Sequence, residues 1–201
     1  LLELSKRYFA AVSAIDYEFG RLMQYLQQAG LDKNTIVVYT SDHGEMMGSH
    51  GRLTKNCLYE EAVGIPFIIR WPGKIKSGQT KMLLSSPDVM PTLLGLAGVK
   101  CPAGVEGENL STQLLNGKGT FPESRYLRTT GGKYRALRTE RYVLFKEGRN
   151  YKLYDLKKDP LQLKPVLPGQ GQDELINKLK QDLNTWLARI EKAHPAANNK
   201  K

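Results

Sequence analysis

Apolar residues at Tyr8, Ala11, Val12, Ile15, Phe19, Leu22 and Leu26 recur at helical spacing, with polar residues between them. That periodicity predicts an amphipathic helix packed on a core. Gly30 follows and suits a helix C-cap. After the turn Leu31-Asp-Lys-Asn34 comes Thr35-Ile-Val-Val-Tyr-Thr40, a continuous β-branched and aromatic run. Such a run reads as a strand buried on both faces, as in a parallel sheet. Tyr59-Glu-Glu-Ala-Val63 reads as a short helix and Pro66-Phe-Ile-Ile-Arg-Trp71 as the next strand, ended by Pro72-Gly73. Lys81–Ser85 predicts a further short strand. Ser86-Pro87-Asp88 opens a helix with Pro in its first turn, an apolar face of Val89, Met90, Leu93, Leu94 and Ala97, and Gly98 as its stop. Asp88 fits a first-turn acid favoured by the helix dipole rather than a ligand. Ser111-Thr-Gln-Leu-Leu115 is a brief helical piece in a loop.

Past Thr120 the pattern changes. Ser124–Thr129, Lys133–Arg138, Tyr142–Lys146 and Lys152–Asp155 are short runs between turn-forming residues, the spacing of an antiparallel meander. Basic residues alternate with apolar or aromatic ones, which predicts one wet, cationic face. Leu175, Ile176, Leu179, Leu183, Trp186, Leu187 and Ile190 then share one face of a last helix, Gln172–Ile190, suited to cover the meander. Ala193–Lys201 reads as a frayed tail.

Charge sharpens this division. Residues 1–117 carry 11 basic and 11 acidic side chains, whereas 118–201 carry 19 and 9, which supplies the whole net charge of +10. Two parts are expected, 1–117 and 118–201. The second has either a surface favouring an anionic partner or a solvated basic surface with a lysine tail. No apolar run approaches membrane-spanning length, and no nucleic-acid-binding motif occurs. The chain opens on Leu1-Leu-Glu-Leu4 without Met, so a missing leader says nothing about compartment. Cys57 and Cys101 form neither a disulfide framework nor a metal-type spacing.

The candidate chemistry lies beyond the strand at 35–40. In open α/β sheets ligands bind past the carboxyl ends of strands, where Asp42 and His43 stand, with Gly44 after them to let the backbone turn. A carboxylate and an imidazole in sequence can be two metal ligands. Asp-His-Gly alone also reads as a turn, with Asp capping the next element. Lys55, thirteen residues on, would set an ammonium near a metal-bound tetrahedral anion. His50, between Ser49 and Gly51, is either a hydrogen-bonded structural histidine or a pocket residue that contacts substrate. Met46 and Met47 suit packing.

The longer pattern carries more. Thr40-Ser-Asp-His-Gly44, Gly48-Ser-His-Gly51, Lys55 four residues before Tyr59-Glu-Glu-Ala, Ile65-Pro-Phe-Ile-Ile-Arg-Trp-Pro-Gly73 and Leu153-Tyr-Asp-Leu-Lys-Lys-Asp-Pro160 together resemble the sulfatase family, of the arylsulfatase and iduronate sulfatase type within the alkaline phosphatase superfamily. Gly64 stands where many members have arginine. Gln162 and Pro165-Val-Leu replace the usual sequel to the last motif, a departure expected to affect a local turn only.

The resemblance implies the C-terminal part of an alkaline-phosphatase-like α/β sandwich, followed by a small antiparallel sheet packed with a C-terminal helix. It implies hydrolysis of a sulfate ester through a formylglycine nucleophile and a divalent metal. The nucleophile motif (Cys or Ser, then x-Pro-x-Arg) and the remaining ligands would lie upstream, so the 201 residues alone are expected to be inactive. Asp42 and His43 would then hold the metal, Lys55 would contact the sulfate, and His50 would line the substrate pocket. Imidazole by itself leans toward zinc or manganese, since calcium prefers oxygen. The resemblance favours Ca²⁺, with Mg²⁺ or another divalent ion as the substitute. Expected partners are a sulfated small molecule or glycan and the N-terminal half of the same protein, with neither nucleic acid nor membrane. A periplasmic or secreted location is implied. The rivals are a phosphonate or phosphate ester hydrolase of the same superfamily and a non-catalytic module gripping anionic glycan.

Overall fold

A computed structural model of the chain describes residues 1–193; the tail beyond Ala193 lies outside the described residues. The chain divides into two compact units, one of residues 1–55, 61–80 and 85–120, the other of 56–60, 81–84 and 121–201.

The first unit opens with α1 (Leu2–Gln28), capped at its C-terminus by Ala29 and followed by Gly30 at φ 69°. The helix forms as its periodicity predicts but does not pack as predicted. It buries no residue, and Phe9, Ile15, Tyr17 and Tyr25 are all more than half exposed. The Phe19 ring meets Tyr39 edge-on at 5.4 Å. Amphipathic spacing records that a helix needs cover, and among the described residues α1 finds it only in part, with Phe19, Met23 and Leu26 half-buried and the apolar residues of the N-terminal half exposed.

Strand β1 (Val37–Thr40) pairs with β2 (Phe67–Arg70). The ladder is antiparallel, from Val37↔Arg70 to Thr40↔Phe67. Among the described residues β1 has no parallel neighbour and is not buried on both faces; only Val37 of the strand is buried. A continuous apolar run signals affinity for burial, not the direction of its neighbour. Between the strands lie an irregular loop and the one-turn helix α2 (Glu60–Val63).

Helix α3 (Ser86–Leu96) starts where Ser-Pro-Asp predicts. Asp88 Oδ2 accepts hydrogen bonds from the Ser85 backbone N–H and hydroxyl at 2.8 and 2.7 Å, and its Oδ1 accepts one from Glu108 N–H at 2.9 Å. This buried acid joins the helix start to the loop that leads into α4 (Ser111–Asn116), a structural role as expected.

The second unit holds the meander: β3 (Ser124–Arg128), β4 (Tyr134–Thr139), β5 (Tyr142–Glu147) and β6 (Asn150–Asp155). They lie antiparallel in sequence order. One face, with Leu137, Leu144 and Leu153, packs against Ile176, Leu179 and Leu183 of α5 (Asp173–Ala193). The other face is not the wet, cationic surface expected. Ala136, Val143, Tyr154 and Arg125 on it are buried. The Tyr59 ring lies 5.4 Å from Phe145 and 6.3 Å from Tyr154, and Arg138 Nε donates to Glu60 Oε1 at 2.9 Å. Residues 56–60 thus return to this sheet and neutralise part of its charge, a contact distant in sequence that alternation alone cannot reveal.

Lys81–Ser85 forms no strand. Lys81 instead reaches Glu140 at 2.8 Å, and the segment joins no ladder. Gln162 does more than shape a turn. It is buried at φ 52°, and its Oε1 accepts the Glu60 backbone N–H at 2.7 Å.

Candidate active site

Beyond the end of β1 the backbone is fixed by short-range bonds. The Ser41 hydroxyl donates to the His43 carbonyl at 2.7 Å. The His43 N–H donates to Asp42 Oδ1 at 2.9 Å, and that bond is the main reason the Asp42 carboxyl sits below the usual carboxylate range. The Gly44 N–H donates to the Ala62 carbonyl at 2.9 Å. A β-carbon on Gly44 would stand 1.9 Å from the Glu61 carbonyl oxygen. Glycine is therefore required here by close approach of backbone to backbone, not by the sharp turn expected from sequence.

This clamp sets the imidazole. His43 Nδ1 lies 2.7 Å from the Gly44 carbonyl, which can only accept, so Nδ1 carries a proton. Nε2 faces Asp42 Oδ2 at 3.3 Å. Two donor atoms each ~2.0–2.6 Å from one cation, at right angles, lie roughly 2.8–3.7 Å apart. The pair matches that bite, and a metal-binding histidine commonly donates its other ring N–H to a carbonyl. The Asp42 side chain is 82% exposed, which leaves room for further ligands. Two ligands do not complete a site, and no group of three or more His, Cys, Asp or Glu able to hold a metal occurs among the described residues. The residues present fit part of a divalent-cation site.

The loop beyond the pair is held in unusual backbone conformations. Met47, Gly48, His50 and Gly51 all have positive φ, at 46°, 99°, 53° and 66°. Met46 is buried, a packing role as predicted. His50 Nε2 lies 3.9 Å from Glu61 Oε1, with only 12% of its side chain exposed. Glu61 was not singled out by sequence reasoning. The signal was present in the Glu60-Glu61 pair of α2, which splits between two tasks: Glu60 faces Arg138 and Glu61 faces His50.

The structure brings Asp42 and His43 together. Lys55 lies on an exposed stretch between the loop and α2, and among the described residues no hydrogen bond or ion pair joins it to either. Cys57 is buried and Cys101 half-buried, both as free thiols.

Comparison with known proteins narrows the reading. Residues 3–99 match the sulfatase family model. An endo-4-O-sulfatase of Bacteroides thetaiotaomicron is 34% identical over 215 residues, which cover 94% of this chain and 42% of the relative. A solved structure from the core genetic locus with which that organism metabolises multiple glycosaminoglycans superposes with a TM-score of 0.83 at 34% identity, over 92% of this chain and 43% of that one. The phosphonate monoester hydrolase of Agrobacterium radiobacter superposes with a TM-score of 0.77 at 25% identity, over 89% of this chain and 40% of that one. The chain thus spans about two fifths of the length of such proteins, and its helices and antiparallel sheets take the arrangement of the alkaline-phosphatase-like fold. Taken with the strand, the Asp-His-Gly clamp and the meander, these matches show that the chain belongs to the sulfatase family.

Proposed function

We propose that the protein of which this chain is a part hydrolyses a sulfate ester, and that Asp42 and His43 provide two of the ligands of its divalent cation. The observation that carries this is the 3.3 Å approach of Asp42 Oδ2 to His43 Nε2, with the ring's other nitrogen tied to Gly44. That bond leaves Nε2 as the nitrogen free to coordinate. The Asp42 carboxylate is ionised at neutral pH, so no proton has to leave when a cation arrives. A bound cation, Ca²⁺ on the family's pattern, would polarise the sulfate and lower the pKa of the nucleophile.

Lys55 is the residue for the sulfate oxygens. Its exposed side chain would set a cation against a sulfate monoester as negative charge grows on the leaving oxygen. His50, held against Glu61, borders the same loop and is assigned to the substrate side. The formylglycine nucleophile and the remaining ligands belong to the rest of the polypeptide. The partly uncovered apolar side of α1 supports that division, because exposed apolar area of this kind marks an interaction surface. Sulfated glycans are the favoured substrates, given the glycosaminoglycan context of the solved relative, and a periplasmic or secreted enzyme would meet them.

The reading is tested in the full-length protein by hydrolysis of 4-nitrophenyl sulfate against 4-nitrophenyl phosphate, with Asp42→Ala and His43→Ala beside the parent. Sulfate turnover that depends on a divalent ion and falls in both variants supports it. The likeness to a phosphonate monoester hydrolase favours one second reading. A parent faster on the phosphate ester would establish that one instead.

A further inference from the structure

A groove of about 360 Å³ runs between α5 and the edge where β3 begins and β4 turns into β5. Its walls include Glu123, Ser124, Tyr142, Lys178, Asp182, Trp186 and Arg189. The indole is fixed in place: Trp186 Nε1–H donates to Ser124 Oγ at 3.0 Å. The Arg189 guanidinium stacks over the Trp186 ring at 4.7 Å. Stacking occupies the face of a guanidinium and leaves its N–H donors free in the plane. Among the described residues, Lys178, Asp182 and Arg189 make no hydrogen bond or ion pair with another side chain.

The volume falls in the range of small-ligand sites, and the polar groups select within it. Two cations and two carboxylates share the opening, so a polyanion would meet as many repelling groups as attracting ones. A wholly apolar ligand would desolvate four charged groups without pairing them. A ring bearing hydroxyl groups satisfies both kinds: carboxylates accept from its hydroxyls, the guanidinium and ammonium donate to its oxygens, and its C–H groups meet what Arg189 and Arg141, each stacked over one ring, leave open of Trp186 and Tyr142. We propose that this groove is a saccharide subsite for a pyranose unit carrying at most one negative charge. It uses no residue of the Asp42–His43 loop and rests on no part of the hydrolytic reading.

The test titrates the isotopically labelled full-length protein with an unsulfated chondroitin tetrasaccharide, following the indole N–H resonance of Trp186, assigned with Trp186→Phe, against that of Trp71. A saturable shift of Trp186 alone is expected by about 10 mM, weakened about tenfold or more by Asp182→Ala and by Arg189→Ala. Arg189 is exposed and Asp182 half-buried, and neither belongs to the apolar core under the sheet, so these variants keep the fold. No shift of Trp186, or one unchanged in both variants, overturns the proposal. So does binding that is about tenfold tighter for a heparin tetrasaccharide and vanishes with added salt, since that is the signature of the unit's net charge and not of the groove.

Discussion

The Glu61 carbonyl oxygen stands 1.9 Å from the place a β-carbon on Gly44 would occupy. Both partners are backbone, so neither can rotate away. Gly44→Ala must therefore open the contact with α2, break the 2.9 Å bond from Gly44 N–H to Ala62, and shift the carbonyl that orients His43. A loss of about 1–3 kcal/mol is expected for such overpacking. Trp71 lies in the first unit and Trp186 in the second, so urea unfolding followed through each indole locates the effect. A midpoint unchanged at Trp71 would mean that α2 yields without cost.

How much of this could be read beforehand differs by element. The meander, α3 with its capping acid, and the last helix follow from local periodicity and turn chemistry, and all three form. Burial of α1 and the direction of the β1 neighbour depend on what lies beside them, which no periodicity encodes. Gly44 was identified for a conformational reason, but the decisive partner is a carbonyl seventeen residues away. Gln162 looked like a departure in a turn, yet its amide oxygen holds the Glu60 backbone. The adjacency of Asp42 and His43 suggested a ligand pair. The bond that fixes the ring, from Nδ1 to the next carbonyl, has no sequence signature.

Asp88 offers a test of a purely structural carboxylate. It is buried and accepts three hydrogen bonds from two segments. Asp88→Ala would orphan the Glu108 N–H and both Ser85 donors. The cost expected is about 2 kcal/mol or more, from a lost cap and buried unsatisfied donors. Asp88→Asn, which keeps an acceptor oxygen, should recover part of it. Denaturation midpoints of the two variants check this; equal losses would show that charge, not the acceptor count, matters there.

Lys55 is predicted to act in catalysis and not in folding. Its side chain is exposed, so Lys55→Ala should leave the unfolding midpoint within about 0.5 kcal/mol of the parent. In the full-length enzyme, turnover of an aryl sulfate should fall by roughly two powers of ten, as when one donor to a developing oxyanion is removed. Near-parental turnover would take Lys55 out of the mechanism.

The Arg141–Asp155 fork gives the acid limb of stability. Arg141 Nε and Nη2 reach the two Asp155 oxygens at 2.9 and 2.6 Å, and this pairing, helped by the Lys157 N–H, holds the Asp155 carboxyl below its usual range. A depressed native pKa means the unfolded chain takes up the proton first. The contribution is thus complete above about pH 4 and fades as pH falls through the native value. Arg141 is substantially exposed, which limits the effect to about 1 kcal/mol or less. Asp155→Asn should be less stable than the parent at pH 7, with the gap closing as pH falls below the ordinary carboxylate range. A gap independent of pH would assign the loss to hydrogen-bond geometry alone.

Tyr154 gives the opposite limb. Its ring is 2% exposed and packs against Tyr59 and Phe145. Burial, with the Tyr59 hydroxyl nearby, pushes its phenol well above the usual range. Here the unfolded chain loses the proton first, near pH 10. Stability from the neutral phenol is therefore present below that pH and lost as pH rises toward the native value, at up to about 1.4 kcal/mol per pH unit. Tyr154→Phe keeps the ring and removes the proton. Between about pH 10 and 11 its stability should fall less steeply than the parent's, by close to one proton's slope, when denaturant midpoints are compared across that span. Parallel curves would mean that Tyr154 ionises alike in the folded and unfolded chains, and so that its hydroxyl meets solvent in the native sheet.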